Sequence, residues 1–172
     1  VVNMLLQHQG GFSDIVSGKG NGAIVLCVGP PGVGKTLTAE VYAETAKMPL
    51  YSVQCSQLGL TPSELEGSLL RVFMRAQRWN AILMLDEADV YVMERGQSIE
   101  QNAIVGVFLR VLEYYQGVLF LTSNRVDSID DAVASRCLAR LTYERPTIDD
   151  QLRIWKVLSE TMKMNLSPKL IE

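Results

Sequence analysis

Positions 29–36 read "GPPGVGKT", a glycine-rich run that ends in a lysine and a threonine. The apolar stretch "AIVLCV" precedes it and the helix-forming "LTAEVYAETA" follows it. Gly29, Gly34, Lys35 and Thr36 satisfy the spacing G-x-x-x-x-G-K-[ST], in the strand–loop–helix setting that gives this spacing its meaning. Glycines let backbone N–H groups turn inward around phosphate oxygens, and the positive end of the following helix points to the same place. A lysine there reaches the β- and γ-phosphates, and a threonine hydroxyl can ligate Mg2+. The run therefore reads as a cradle for a nucleoside triphosphate, formed by Gly29, Pro30, Pro31, Gly32, Val33, Gly34, Lys35, Thr36 and Leu37.

A second run, "ILMLDEAD", decides what happens to the phosphate. Four apolar residues bury a strand whose C-terminal end emerges at Asp86 and Glu87, and ligands of open α/β sheets bind at that end. Asp86 is placed to hold Mg2+ and Glu87 to take a proton from an attacking water. A phosphotransferase needs a pocket for a second substrate, whereas a hydrolase needs a base and a water, so adjacent acids favour hydrolysis. The apolar "VLFLTSN" ends in a polar tip, Thr122-Ser123-Asn124, from which Asn124 can orient the water. Arg136, in "DDAVASRCLAR", reads either as a surface or salt-bridging side chain or as a finger that neutralises transition-state charge in a neighbouring subunit. Arg140 is the reserve for that role if Arg136 pairs with an acid of its own chain.

The elements that must position these groups alternate. Strands are expected at 23–29, 50–55, 81–89, 118–124 and 138–143, and helices at 35–47, 61–78, 100–115 and 128–137. A further helix is expected after Pro146. The 61–78 helix carries its own start signal, with Thr61 as N-cap, Pro62 at the first position and Glu64 completing a capping box. The short 128–137 helix has a cap at Ser128 or Asp130. Alternating β and α units imply a parallel sheet with helices on both faces.

With 172 residues, 48% apolar and 20% charged, the chain has the makeup of an ordinary globular domain. Its net charge of -3 provides no global basic field for nucleic acid. Cys27, Cys55 and Cys137 lie far apart with no C-x-x-C pair, which reads as reduced thiols in an intracellular, cytoplasmic setting. The single histidine, His8, sits in a polar stretch and gives no basis for a histidine metal site. Apolar runs stay near six residues, far short of the roughly 18 of a membrane span. The chain opens on Val and closes on "SPKLIE" in or just after a helical pattern, as expected of a piece of a longer protein.

Together these stretches resemble the AAA+ ATPase family over roughly residues 12 to 160. "GPPGVGKT" looks like its Walker A motif and "ILMLDEAD" its Walker B, while Asn124 occupies the sensor-1 position and Arg136 the finger position. "FLRVLEYYQGVLFLTSNRVDSIDDAVASRC" is most similar to fungal-type AAA ATPases. The resemblance implies ATP as the nucleotide, a five-stranded parallel sheet of order 5-1-4-3-2 and catalytic roles for Lys35, Glu87, Asn124 and Arg136. "FSDIVSGKG" resembles the segment that packs on adenine, which would bring Asp14, Ile15 and Val16 to the base. It divides the chain into a linker and adenine-side segment at 1–22, a nucleotide-binding core at 23–146 and the start of a helical lid at 147–172. It also implies a ring homo-oligomer, hexameric in the full-length protein, that remodels a protein partner. A clamp-loader-like or other DNA-associated ATPase subunit is the alternative; "SRC" also resembles that group's finger motif, whereas the helix-to-strand stretch before it does not. Where remodelling members carry an aromatic pore loop, this chain has "SQLGLTP", with no aromatic residue. That segment is expected to be exposed and mobile, and Tyr51 to be partly packed against the sheet.

Overall fold

The computed structural model describes residues 22–161. Five strands form one parallel sheet: β1 (Ala23–Val28), β2 (Leu50–Gln54), β3 (Ile82–Asp86), β4 (Val118–Ser123) and β5 (Ala139–Thr142). Their spatial order is β2-β3-β4-β1-β5, the order expected from the sequence. β4 therefore inserts between β1 and β3, pairing Ala23 with Val118 on one side and Leu83 with Leu119 on the other. This insertion brings the C-terminal tips of β1, β3 and β4 side by side.

Around the sheet run α1 (Lys35–Ala46), α2 (Pro62–Arg78), α3 (Asp89–Val92), α4 (Ile99–Leu112), α5 (Asp131–Ala134) and α6 (Ile148–Thr161). The central strands β1, β3 and β4 are apolar on both faces, and successive residues serve opposite sides. Ile24, Leu26, Val28, Leu83, Leu85, Leu119 and Leu121 pack against α2 and α4 through Leu65, Leu69, Phe73, Val105 and Phe108. The alternate residues Val25, Cys27, Ile82, Met84 and Phe120 pack against Ala39, Tyr42 and Ala43 of α1. Helix α1, which leads directly out of the glycine-rich loop, thus helps to bury the second face.

Local chemistry sets the element ends. Thr61 accepts a hydrogen bond from the Glu64 N–H, and the Glu64 carboxylate accepts one from the Thr61 N–H, closing the expected capping box on α2. Ser98 caps α4 by accepting from the Gln101 N–H at 3.3 Å. Three expectations are corrected. β3 stops at Asp86 rather than continuing to residue 89, because Glu87 takes a left-handed conformation at φ 57°. The 128–137 helix is confined to Asp131–Ala134, with Asp130, not Ser128, as its cap. The 56–62 segment is not exposed throughout: Leu58 is 2% exposed, and the Tyr91 hydroxyl lies 2.8 Å from the Cys55 carbonyl and 2.9 Å from that of Gly59. Tyr51 is half-buried, its ring set edge-on to Trp79 with centroids 5.1 Å apart.

Candidate nucleotide site

The loop after β1 is shaped by what its glycines allow. A Cβ on Gly29 would lie 2.5 Å from the Tyr143 carbonyl oxygen and 2.8 Å from the Tyr143 Cβ, so no side chain fits between the loop and the end of β5. Gly34 closes the loop at φ 93°, a left-handed conformation that costs other residues about 1–2 kcal/mol. A Cβ there would meet nothing within 4 Å, so the requirement at Gly34 is conformational and the space beside the loop is open.

Lys35 begins α1 and is 8% exposed. Its ammonium donates to the Gly29 carbonyl at 2.8 Å, to the Pro30 carbonyl at 2.7 Å and to Asn124 Oδ1 at 2.9 Å. Burial holds its pKa below the ordinary lysine value, and the nearby carboxylates of Asp89 and Asp86 act in the opposite direction. Thr36 Oγ1 approaches Asp86 Oδ1 at 3.4 Å. A hydroxyl and a carboxylate oxygen beside an open, N–H-rich loop are the hard donors that suit Mg2+ with a polyphosphate.

The acidic turn is fastened to β4. Thr122 Oγ1 donates to Asp86 Oδ1 and accepts from the Glu87 N–H at 3.0 Å, while the Ala88 N–H donates to the Thr122 carbonyl at 2.8 Å. One buried hydroxyl therefore fixes Asp86 and the left-handed backbone of Glu87 together, leaving the Glu87 side chain exposed at the sheet edge.

Four sequence candidates meet here as two pairs, Lys35 bonded to Asn124 and Thr36 within 3.4 Å of Asp86, and Glu87 follows Asp86 in the chain. Arg136 makes other contacts. Its guanidinium donates to Glu113 and, at 2.9 Å, to the Ala132 carbonyl, an in-chain pairing of the kind that would bring Arg140 forward. Arg140 is itself engaged, donating to the Val126 carbonyl. Asp14, Ile15 and Val16 lie outside the described residues. Asp89, Thr122 and Glu113 also bond to these groups, and sequence pattern alone does not single them out. Asp89 had a signal, since it is the last acid of "DEAD" at the ligand-binding edge, but treating it as part of a strand concealed it.

The sequence profile of the "ATPase family associated with various cellular activities (AAA)" matches residues 25–145. The chain belongs to the AAA family of ATPases. This AAA domain is accordingly an ATP-hydrolysing enzyme. It is 32% identical over 152 residues to the human ATPase family gene 2 protein homolog B, covering 82% of this chain and 20% of that protein. It is 30% identical over 146 residues to the ATP-dependent zinc metalloprotease FtsH of Synechococcus sp., covering 77% of this chain and 23% of that one. The AAA domain thus spans between a fifth and a quarter of these relatives' length. The FIGL-1 AAA domain solved with ADP has the same fold, with a TM-score of 0.66, 23% identity and coverage of 87% of this chain and 52% of that one. A chain of the E. coli MS115-1 HORMA:CdnC:Trip13 complex gives a TM-score of 0.64 at 21% identity, covering 87% and 57%. AAA ATPases as a family use ATP with Mg2+ and commonly oligomerise. Among the described residues no helix is long and apolar enough to cross a membrane.

Proposed function

We propose that this AAA domain uses ATP hydrolysis to remodel a protein partner, as one subunit of a ring. The observation that carries the hydrolytic reading is the meeting of two pairs at the strand tips, Lys35 with Asn124 and Thr36 with Asp86, with Glu87 presented beside them. In this reading the 29–37 loop and Lys35 hold the triphosphate. The family resemblance would bring Asp14, Ile15 and Val16, outside the described residues, to the adenine, and α6 would begin a helical lid. Thr36 and Asp86 would hold Mg2+, which supplies charge neutralisation on the phosphates. Glu87 accepts a proton from water as that water's oxygen bonds to the γ-phosphorus and the bond to the ADP oxygen breaks. Asn124 orients the water. Gripping by an aromatic pore residue is not part of the proposal, because Tyr51 packs against Trp79 and Leu58 is buried. The name of the FtsH relative, an ATP-dependent protease, supports a protein as the partner.

Arg136 remains the preferred finger despite its ion pair. Both partners are partly exposed, and such a pair contributes about 0–1 kcal/mol. A finger supplied in trans is worth about 10³–10⁵ in rate, or roughly 4–7 kcal/mol, so freeing Arg136 from Glu113 is a small cost. The test combines two variants of the full-length protein. Glu87→Gln is expected to keep ATP bound while turnover falls about 10²–10⁴-fold. Mixing it with Arg136→Ala subunits creates interfaces that pair an intact base with an intact neighbouring finger, so co-assembled rings regain activity. Parental turnover by Glu87→Gln refutes the base assignment. Verified mixed rings that stay inactive refute action in trans.

A further inference from the structure

Asp89 takes no part in the chemistry above, yet one of its oxygens shapes the tip of β4. Asp89 Oδ1 accepts from the Ser123 hydroxyl at 2.6 Å and from the Asn124 N–H at 2.8 Å. The Ser123 oxygen in turn accepts from the Arg125 N–H at 3.0 Å. Three consecutive residues are thus folded around a single carboxylate oxygen supplied by the neighbouring strand's turn. Ser123 is fully buried, so its hydroxyl is shielded from water, and Asp89 is its acceptor. The same turn directs the Asn124 side chain so that its Oδ1 meets the Lys35 ammonium at 2.9 Å.

We propose that Asp89 is a positioning residue for hydrolysis: it holds the Ser123–Arg125 turn so that Asn124 stands at the nucleotide loop. The inference rests on the reading of Asn124 as a residue that orients water. Its distinguishing feature is that both bonds end on Oδ1. For holding the turn, the required property is therefore an acceptor at one point in space. Asparagine at position 89 keeps that oxygen and loses the charge, whereas glutamate keeps the charge and displaces the oxygen by one methylene. A misplacement of about 1 Å in a catalytic arrangement can lower the rate by about 10²-fold.

The test measures kcat and KM for ATP on the complete protein carrying Asp89→Ala, Asp89→Asn, Asp89→Glu, Asn124→Ala or Asp89→Ala/Asn124→Ala. Asp89→Ala and Asp89→Glu are expected to lower kcat by up to about 10²-fold with little change in KM, and Asp89→Asn to retain most of the parental kcat. The double variant is expected to be no slower than Asn124→Ala alone, since both changes disable the same unit. If Asp89→Ala fails to fold, the Asn and Glu variants still decide between geometry and charge. An active Glu variant beside an inactive Asn variant would show that the charge matters and would overturn the proposal. Additive losses in the double variant would also overturn it. If Asn124→Ala is slow while Asp89→Ala runs at the parental rate, only the assignment to Asp89 fails. If Asn124→Ala itself runs at the parental rate, the underlying reading of Asn124 fails and takes this inference with it.

Discussion

Replacing Thr122 by valine should disable the acidic turn while leaving the shape of the core almost unchanged. Thr122 is 1% exposed, and valine replaces its hydroxyl with a methyl of similar size. Two interactions disappear. The Glu87 N–H loses its acceptor at 3.0 Å, and Asp86 loses the hydroxyl that donates to its Oδ1. An unsatisfied backbone donor costs about 1–3 kcal/mol, and a hydrogen bond to a charged group contributes about 1.5–3 kcal/mol. Asp86 is only partly buried, so water replaces part of the second loss, and a total near 2–3 kcal/mol follows. At about 2–4 °C per kcal/mol for a domain of this size, the thermal midpoint should fall by roughly 4–12 °C. The effect on chemistry should be separable from this. Glu87 occupies a left-handed conformation at φ 57° that is about 1–2 kcal/mol unfavourable, and its N–H bond to Thr122 offsets that strain. Once released, the turn can relax and move the Glu87 carboxylate, so turnover should drop by about 10²-fold at temperatures where the variant is fully folded. Thr122→Ser is the control, since it keeps the hydroxyl and loses one methyl, with a stability cost near 1 kcal/mol and most turnover retained. Calorimetry gives the midpoints and a phosphate-release assay the rates. A Val variant that melts and turns over like the parent would refute the claim that this hydroxyl holds the turn.

Lys35→Ala should weaken Mg-ATP binding by roughly 10- to 150-fold in calorimetry, the equivalent of losing a charge-assisted contact of about 1.5–3 kcal/mol; unchanged affinity would contradict the cradle reading. Asp130 provides a pH prediction. Burial alone would raise its pKa, but the bonds from Arg95 and the Ala132 N–H outweigh burial and hold it below 3.8. A depressed folded pKa contributes stability above the unfolded value of about 3.9 that is lost as pH falls through the folded one. Arg95→Ala, removing a contact at 2.8 Å to a residue that is 3% exposed, should therefore cost about 1–2 kcal/mol at neutral pH and shift acid unfolding to higher pH. Melting curves for variant and parent that coincide from pH 2 to 7 would argue against the pair's role.

Much of this domain was legible in its sequence because the decisive signals are local. "GPPGVGKT" between an apolar run and a helical one fixes strand, loop and helix, since only that backbone accommodates the glycines and the lysine together. Thr61, Pro62 and Glu64 set the start of α2 within four residues, and alternating apolar runs specify a sheet covered on both faces. What the sequence could not place by local pattern were contacts between groups distant along the chain. The left-handed turn at Glu87 is stabilised by a hydroxyl 35 positions away, so no reading of "DEAD" alone shows that β3 ends at Asp86. Asp89 looks like one more acid in a run until β4 lies beside β3 and offers it Ser123 and Asn124. Leu58 lies in a segment that reads as an exposed loop, and burial becomes visible only once Tyr91 brings its hydroxyl to the carbonyls of Cys55 and Gly59. Arg136 left two readings open, and its bond to Glu113, 23 residues earlier, forms only where the tertiary fold brings the residues just after α4 and α5 together. Local chemistry, repeated at short spacing, determines elements and motifs. The acceptor a buried polar group finds across the sheet depends on strand order and register, which the whole core sets together.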